Sequence, residues 1–417
     1  MYSIRCATER ILMYCYQRDK IRAYWRPTHL FSHALKDVLL SPSNAFSNQY
    51  LRSIGAVHEI IHRWTRPNKR PEFNISSVDV DEKKYSVVEK TVLEKPFCRL
   101  KLFEKVGCDI DQPTVLVVAP LSGHYATLLR DTVHTLLQDH KVYVTDWISA
   151  YNVPMSDGDF DLDTYVEYLD DFYAFLGNGI HVVAVCQPCI PVLIAAAVLA
   201  EKNAPYQPAS MILMGGPVDT RISPTVVNTM VEQLPIDWFE QHMVSEIPHY
   251  APGARRKVTP GNLILGGFIQ MNIKSHTQKH YEHIKNVANK NQKAVRSHRE
   301  FYDEYLSVMD LPAAYFVQTM DKIFKQHLVA KDEMTYKGKS FSFKSVTQTA
   351  LMTVEGENDD ITGIGQTYAA HDVCSNIPEH KRDHFLRLDV GHYGIFSGSR
   401  WRKDIYPQVR SFIKRHQ

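Results

Sequence analysis

Several hallmarks of membrane, secreted and nucleic-acid-binding proteins are missing from this sequence. No stretch reaches the roughly 18 consecutive apolar residues that a membrane-spanning helix needs. The segment Met1–Arg10 carries charges where a signal peptide would have its apolar core, so we expect no secretory leader. The formal net charge is only +2, which gives no reason to expect a nucleic-acid partner. Internal repeats and low-complexity tracts are also absent.

Cysteine is scarce, and its distribution excludes a disulfide framework. Seven cysteines are scattered over 417 residues without the spacing of a small secreted domain. Their odd number and irregular spacing favour a reducing compartment, so we predict a soluble cytoplasmic protein. The hydrophobic fraction of 44% is sufficient for a large core.

Apolar segments alternate with amphipathic ones along most of the chain. The predicted strands are residues 87–94, 97–104, 114–120, 141–147, 181–185, 211–216, 349–355 and 385–389. The first two form an antiparallel pair, and helical patterns separate most of the others. Apolar strands that alternate with helices indicate an α/β fold, with a mostly parallel sheet and helices on both of its faces.

Three regions differ in their pattern. Residues 1–80 are predicted to form an N-terminal helical extension, residues 81–220 and 346–417 the α/β core, and residues 221–345 an inserted helical cap. The cap includes a predicted helix over Ser275–Met309. Aromatic residues are frequent in the extension, for example Tyr14, Tyr16, Tyr24 and Trp25. Such a stripe either contacts an apolar surface or packs on its own domain, and both interpretations stay open.

Cys186 lies where an apolar strand stops and a helix begins. The preceding residues His181–Val185 are mostly β-branched, and Pro191–Ala200 has the composition of a buried helix. Strand, sharp turn, nucleophile and helix follow one another in the nucleophile elbow of α/β-hydrolases, and a helix N-terminus favours a thiolate. The usual flanking glycines are replaced by Ala184 and Pro188, and a proline is tolerated in a first helical turn.

An acid and a histidine follow the last two predicted strands. Asp359 and Asp360 come after strand 349–355, and His392 lies in a glycine-containing loop after the final strand. The order nucleophile, acid, histidine is that of α/β-hydrolases. Asp359 is favoured because it is nearer the strand end, and Asp360 stays an alternative. We expect His392 to deprotonate Cys186 and later to protonate the leaving alcohol, while the acid orients the imidazole.

Further candidates lie at the same edge of the predicted sheet. The backbone N–H groups of Gln187 and Leu121 are predicted to form the oxyanion hole. His124 and Trp147 are candidate substrate contacts, with local packing as the alternative. An ester hydrolase with this constellation needs no metal and no cofactor.

The remaining thiols and imidazoles are given no catalytic role. Cys189, one helical turn beyond the predicted nucleophile, is expected to line its helix. His276, His280 and His283 lack a set of accompanying carboxylates, so we expect them at the surface and predict no metal site.

Taken together, these motifs resemble the intracellular poly(3-hydroxybutyrate) depolymerases, a cytoplasmic family of α/β-hydrolases with a cysteine nucleophile. The resemblance runs from about Val115 to the C-terminus. It is carried by Ala119–Tyr125, Val144–Trp147, Val183–Pro188, Val354–Ile361 and Gly391–Phe396. By position it implies Cys186 as nucleophile, Asp359 as orienting acid and His392 as base. The implied substrate is the amorphous polyester of cytoplasmic storage granules, cleaved to 3-hydroxybutyrate oligomers or monomer at the granule surface.

Other functional classes stay open. A polyhydroxyalkanoate synthase shares the fold and the cysteine, acid and histidine, but it usually carries glycines on both sides of its cysteine. A granule-binding protein without catalysis would not need an acid and a histidine at these places. A generic esterase or thioesterase would differ in the shape of its cap, and a homo-oligomer is compatible with the sequence.

Overall fold

The computed structural model describes residues 24–41, 48–66 and 69–417. The candidate aromatics Tyr14 and Tyr16 lie outside the described residues. The strands are β1 (Ser77–Val80), β2 (Lys83–Lys95), β3 (Cys98–Lys105), β4 (Thr114–Val118), β5 (Lys141–Trp147), β6 (His181–Val185), β7 (Ser210–Met214), β8 (Ser245–Glu246), β9 (Lys257–Thr259), β10 (Leu311–Pro312), β11 (Thr335–Tyr336), β12 (Lys339–Ser340), β13 (Ala350–Gly356) and β14 (Arg382–Arg387).

A nine-stranded sheet in the described part of the chain forms the centre of the fold. Its strand order is β1-β2-β3-β5-β4-β6-β7-β13-β14. The three N-terminal strands are antiparallel, whereas β4, β5, β6, β7, β13 and β14 run parallel to one another. This order, with β4 and β5 exchanged relative to the sequence, is that of the α/β-hydrolases. The predicted fold class is therefore confirmed.

Helices flank this sheet. They are α1 (residues 24–40), α2 (Gln49–Thr65), α3 (Arg130–Leu136), α4 (Leu162–Leu176), α5 (Cys189–Glu201), α6 (Val226–Gln233), α7 (Ile236–Met243), α8 (Gly261–Met271), α9 (Ile273–Ala288), α10 (Gln292–Tyr305), α11 (Ala313–Gln318), α12 (Ala370–Val373), α13 (Gly398–Arg400) and α14 (Tyr406–Arg415). The segments around α3 and α14 pair through Arg402 with Asp131 and Tyr406 with Asp139, and α4 packs against α5. The connections between the parallel strands are right-handed but run in opposite directions along the sheet. Helices α3 and α14 therefore lie on one face, and α4 and α5 lie on the other.

The cap between β7 and β13 is not wholly helical. Its segments β8, β9 and β10 form a small antiparallel sheet. The single helix predicted over Ser275–Met309 is wrong in its extent, because α9 ends at Ala288 and α10 begins at Gln292. Lys290 between them has a φ of +57°, a left-handed conformation that no helix interior contains. The sheet itself begins with β1, inside the predicted extension 1–80, and the proposed division into domains stays a prediction.

The topology brings three chain segments to one edge of the sheet. Strands β4, β6 and β13 are buried and parallel, so the residues that follow Val118, Val185 and Gly356 emerge at the same carboxyl edge. Loops at this edge are where open α/β sheets bind their ligands. The segment after β14 joins them there.

Candidate active site

Cys186 occupies a sharp, left-handed turn directly after β6. Its φ of +68° is a conformation that costs a non-glycine residue about 1–3 kcal/mol. The turn is secured on both sides, since the Cys186 N–H donates to the Met214 carbonyl at 2.7 Å and its carbonyl accepts from the Cys189 N–H at 3.1 Å. Pro188 stands at the N-cap of α5 with a φ of −57°, so the chain forms this turn without the usual glycines.

The close packing around the turn is supplied by two glycines that directly follow the neighbouring strand β7. A Cβ on Gly216 would lie 2.3 Å from Cys189 Cβ, which no real side chain tolerates. A Cβ on Gly215, whose φ is +60°, would meet His392 Cε1 at 3.2 Å and Asp359 Oδ2 at 3.4 Å. In the sequence, the only signal for this pair is a Gly-Gly dipeptide at the end of an apolar strand.

Asp359 and His392 form a buried pair beside this turn. His392 Nδ1 lies 2.7 Å from Asp359 Oδ2, and the two side chains are only 5% and 1% exposed. The other carboxylate oxygen accepts the N–H groups of Ile361 and Thr362, each at 2.9 Å. The carboxylate is thereby held in one orientation, and the imidazole is held with it.

The electrostatics of this pair favour a protonated imidazole. Burial acts to lower the pKa of His392, but the Asp359 carboxylate and the hydrogen-bonded Cys186 side chain raise it well above its ordinary value. Because Nδ1 faces Asp359, the other ring nitrogen is left for the thiol. The arrangement can therefore store the thiol proton on His392 as an imidazolium.

The structure distinguishes between the alternatives for the acid. Asp360 is exposed, and its carboxylate accepts from the side chain of Asn272 in the cap instead of contacting His392. Of the two aspartates, it is Asp359 that reaches the imidazole.

Cys189 belongs to the packing of α5. It is fully buried, and its thiol points to the carbonyls of Ala184 at 3.5 Å and Met214 at 3.9 Å. Burial raises the pKa of Cys189 well above its ordinary value, which keeps it a neutral thiol. Cys186 is partly exposed.

The two candidate oxyanion amides lie at adjoining places on the sheet edge. Val118 of β4 is paired in register with Ala184 of β6, and Leu121 and Gln187 each follow three residues later. Within the described residues, neither of these two backbone N–H groups has a hydrogen-bond partner. Two such donors at the site of a developing oxyanion can stabilise it.

His124 and Trp147 are both buried by protein atoms. The His124 ring lies near Phe268 and Tyr305, and its Nε2 is 3.1 Å from the Tyr305 carbonyl. Trp147 is fully buried, and its Nε1–H donates to the Ala119 carbonyl at 2.8 Å. Both side chains therefore pack against neighbouring protein atoms, which is the alternative to substrate contact given above.

The elbow is also tied to the cap. The Gln187 side chain donates to Thr319 Oγ1 at 3.3 Å, while its buried Oε1 has no partner among the described residues. Thr319 begins a π-helical segment, Thr319–Lys325, that follows α11. Such wide turns occur frequently at functional sites.

The expectation that His276, His280 and His283 lie at the surface is wrong. His276 and His283 are buried, and His280 is partly buried against Tyr302. Rings of α10 pack against these three histidines of α9, and α2 contacts two of them, so that protein contacts replace solvent. Within the described ranges, no group of three His, Cys, Asp or Glu side chains stands in a metal-binding arrangement. None of the described helices combines the length and the apolarity required to cross a bilayer.

Comparison with known protein families gives a match over the C-terminal part of the chain. Residues 215–417 match a family model described as PHB de-polymerase C-terminus. No curated protein matches the chain. Similar solved structures include a hypothetical protein from Pseudomonas aeruginosa (11% identity, TM-score 0.46, covering 84% of this chain and 100% of that one). An α/β hydrolase, GrgF, from Penicillium sp. sh18 has 15% identity, a TM-score of 0.44 and coverages of 79% and 98%. A thermophilic esterase from Thermogutta terrifontis has 14% identity, a TM-score of 0.42 and coverages of 79% and 99%.

Proposed function

We propose that this chain, whose residues 215–417 match a family model described as PHB de-polymerase C-terminus, is a carboxylic ester hydrolase that cleaves poly(3-hydroxybutyrate). The observation that carries the proposal is the buried pair of His392 and Asp359 beside Cys186, which is held in a left-handed turn after a strand. A binding protein has no need of a strained cysteine next to a buried pair of histidine and carboxylate. The cysteine, the acid and the histidine are therefore assigned to acyl transfer.

The first half-reaction forms a thioester. Cys186 passes its proton to His392, and the thiolate attacks the carbonyl carbon of an ester in the polymer. The carbonyl oxygen becomes an oxyanion, which accepts hydrogen bonds from the amides of Leu121 and Gln187. Collapse of this intermediate breaks the ester C–O bond, and His392 returns the proton to the departing alcohol end of the chain.

The second half-reaction releases the acid product. Water, deprotonated by His392, adds to the thioester carbonyl, and the same two amides hold the second oxyanion. The thiolate leaves and takes up the proton, which regenerates the resting pair. Asp359 stays ionised throughout and keeps Nδ1 of His392 in the protonated tautomer. Each oxyanion donor of this kind contributes about 3 kcal/mol to lowering the barrier.

The test uses purified protein and amorphous poly(3-hydroxybutyrate) granules. We expect soluble 3-hydroxybutyrate or its oligomers to be released by the wild type but not by Cys186→Ala. Cys189→Ala is the matched control, because it removes a neighbouring thiol that points to the carbonyls of Ala184 and Met214. Equal release by the wild type and Cys186→Ala would remove Cys186 as the nucleophile.

Two further measurements separate this function from its alternatives. Release of coenzyme A from 3-hydroxybutyryl-CoA, without release of soluble acid from granules, would indicate a synthase. Co-sedimentation with granules that is the same in the wild type and Cys186→Ala, with no hydrolysis in either, would indicate a binding protein. We extend the proposal to a cytoplasmic location at the granule surface, which fractionation of cells that contain such granules would test.

A further inference from the structure

The turn after β4 is held from two sides by buried hydrogen bonds. On the side of the sheet, the Ala119 N–H donates to Thr145 Oγ1 at 2.9 Å, and its carbonyl accepts from Trp147 Nε1 at 2.8 Å. These contacts come from the neighbouring strand β5. They determine how the chain leaves β4, two residues before Leu121.

On the other side, the same turn is bound to the cap. The Gly123 carbonyl accepts from the Met309 N–H at 2.7 Å, and His124 forms an isolated antiparallel bridge with Val308. His124 Nε2 must carry the proton in its 3.1 Å contact with Tyr305, because the carbonyl oxygen can only accept. Burial lowers the pKa of His124 to about 4, which keeps the ring neutral and in this donor form.

The cap segment that makes these contacts is itself anchored to the core. The Asp310 N–H donates to Ser149 Oγ at 3.1 Å, and the Asp310 carbonyl accepts from the Ala150 N–H at 2.9 Å. The Asp310 carboxylate accepts from the Gly261 N–H at the start of α8. The residues after α10 therefore form a strap between the core and the turn, and not a surface loop.

We propose that His124 and Trp147 are positioning residues, which fix the Leu121 amide at the oxyanion site from the cap side and the sheet side. The inference rests on the proposed function. It assigns to the cap a share in transition-state stabilisation, since Tyr305 and Met309 belong to the cap. A displacement of a catalytic donor by about 1 Å costs on the order of 100-fold in rate.

The test separates positioning from substrate contact with two soluble esters, p-nitrophenyl acetate and p-nitrophenyl butyrate. His124→Leu removes the N–H donor and Trp147→Phe removes the indole N–H while both keep apolar volume. We expect each variant to lower kcat by roughly 10- to 100-fold for both esters with KM within about 2-fold. His124→Gln retains a donor of similar reach and should recover most of kcat.

Two matched variants control for the loss of a buried donor or ring. His140→Leu breaks a buried contact of the imidazole with the Leu136 carbonyl at 3.0 Å. His140 directly precedes β5, so it lies at the edge of the sheet opposite to the candidate active site. Trp401→Phe shortens another fully buried indole. Both should keep the wild-type kcat. Alkylation of Cys186 by iodoacetamide forms no oxyanion, so its rate should be unchanged in His124→Leu and in Trp147→Phe.

Each possible result decides the question. A change in KM that depends on the acyl chain would overturn the inference in favour of a substrate contact. A kcat of His124→Leu and Trp147→Phe equal to that of their controls would overturn it as well, with the proposed function intact. Failure of the wild type to hydrolyse either ester, together with no release of soluble product from granules, would overturn the proposed function and the inference together.

Discussion

The Asp359 carboxylate accepts hydrogen bonds from two backbone amides through one oxygen and holds His392 Nδ1 at 2.7 Å through the other. Both oxygens of the acid are thus engaged, and the imidazole has a single orientation. Asp360, its neighbour in the sequence, faces the cap residue Asn272. This difference between adjacent aspartates can be tested directly.

Asp359→Asn should lower kcat by about 10³- to 10⁴-fold, because an amide stabilises the wrong histidine tautomer and carries no charge. Asp360→Asn is the control and should stay within about 2-fold of the wild type, since its side chain is exposed. Steady-state hydrolysis of p-nitrophenyl butyrate measures both. An Asp359→Asn enzyme as active as Asp360→Asn would contradict the assignment of the acid.

Cys186→Gly should be about 1 kcal/mol more stable than Cys186→Ala, although neither can form a thioester. Only glycine adopts a φ of +68° without a steric penalty. The matched change Cys189→Gly should instead lower stability relative to Cys189→Ala, because this position lies at the start of α5 with ordinary helical backbone. Urea unfolding followed by circular dichroism measures all four variants. Equal midpoints for the two Cys186 variants would argue against strain at the turn.

Gly216→Ala should lower the free energy of unfolding by about 1–3 kcal/mol, because the added Cβ would overlap the Cys189 side chain. Activity should also fall, since Cys189 packs directly behind the turn that holds Cys186. Gly267→Ala provides the contrast, since no atom lies within 4 Å of its added Cβ and it stands inside α8. That variant should gain roughly 0.5–1 kcal/mol from its higher helix propensity. If both variants unfolded at the same urea concentration, the close contact at Gly216 would be refuted.

Acidification from pH 7.5 to pH 5 should destabilise the protein through its buried and partly buried histidines. Burial lowers the pKa of His298 to about 3 and that of His280 to about 4, from an ordinary value of 6.5. Below pH 6.5 the unfolded chain therefore binds more protons than the folded one. The free energy of unfolding consequently decreases as the pH is lowered. Glu59, which faces this cluster, has a pKa well below its ordinary 4.5, so its contribution is retained in this range.

The double variant His280→Phe with His298→Phe should show a smaller loss of stability over the same pH interval. Part of the loss should remain, because burial also lowers the pKa of His181 and of His371 to about 4. The measurement is the urea midpoint at pH 7.5, 6.5, 5.5 and 5. A pH dependence identical to that of the wild type would exclude the cluster as its source.

The meeting of the residues that follow β6, β13 and β14 could be predicted from the sequence, because it depends only on the order and direction of the strands. Parallel strands deliver their carboxyl ends to one edge, so Cys186, Asp359 and His392 were expected to meet there, and the structure brings them together. The fold class followed from the same alternation of apolar strands and helices.

Packing between distant segments could not be predicted in this way. The contact of Gly216 with Cys189 depends on how closely β7 approaches α5, which no local pattern reports. From the sequence, His276 and His283 are expected at the surface, because a histidine-rich helix face has a polar composition. The rings of α10 that cover this face cannot be identified without the structure. His124 and Trp147 were found by their place at the sheet edge, but a one-dimensional pattern does not show which way a side chain points.

The contact between His124 and Tyr305 joins residues 181 positions apart, and this has a consequence for the order of folding. Contacts of high sequence separation form late, because the loop entropy must be lost before they can stabilise anything. During synthesis the strand that carries the thiol leaves the ribosome well before the strap, the acid and the histidine. A nascent chain that ends before residue 305 would hold its cysteine without the surroundings that make it reactive, so the fold itself postpones chemistry until the residues of the strap, the acid and the histidine have been made.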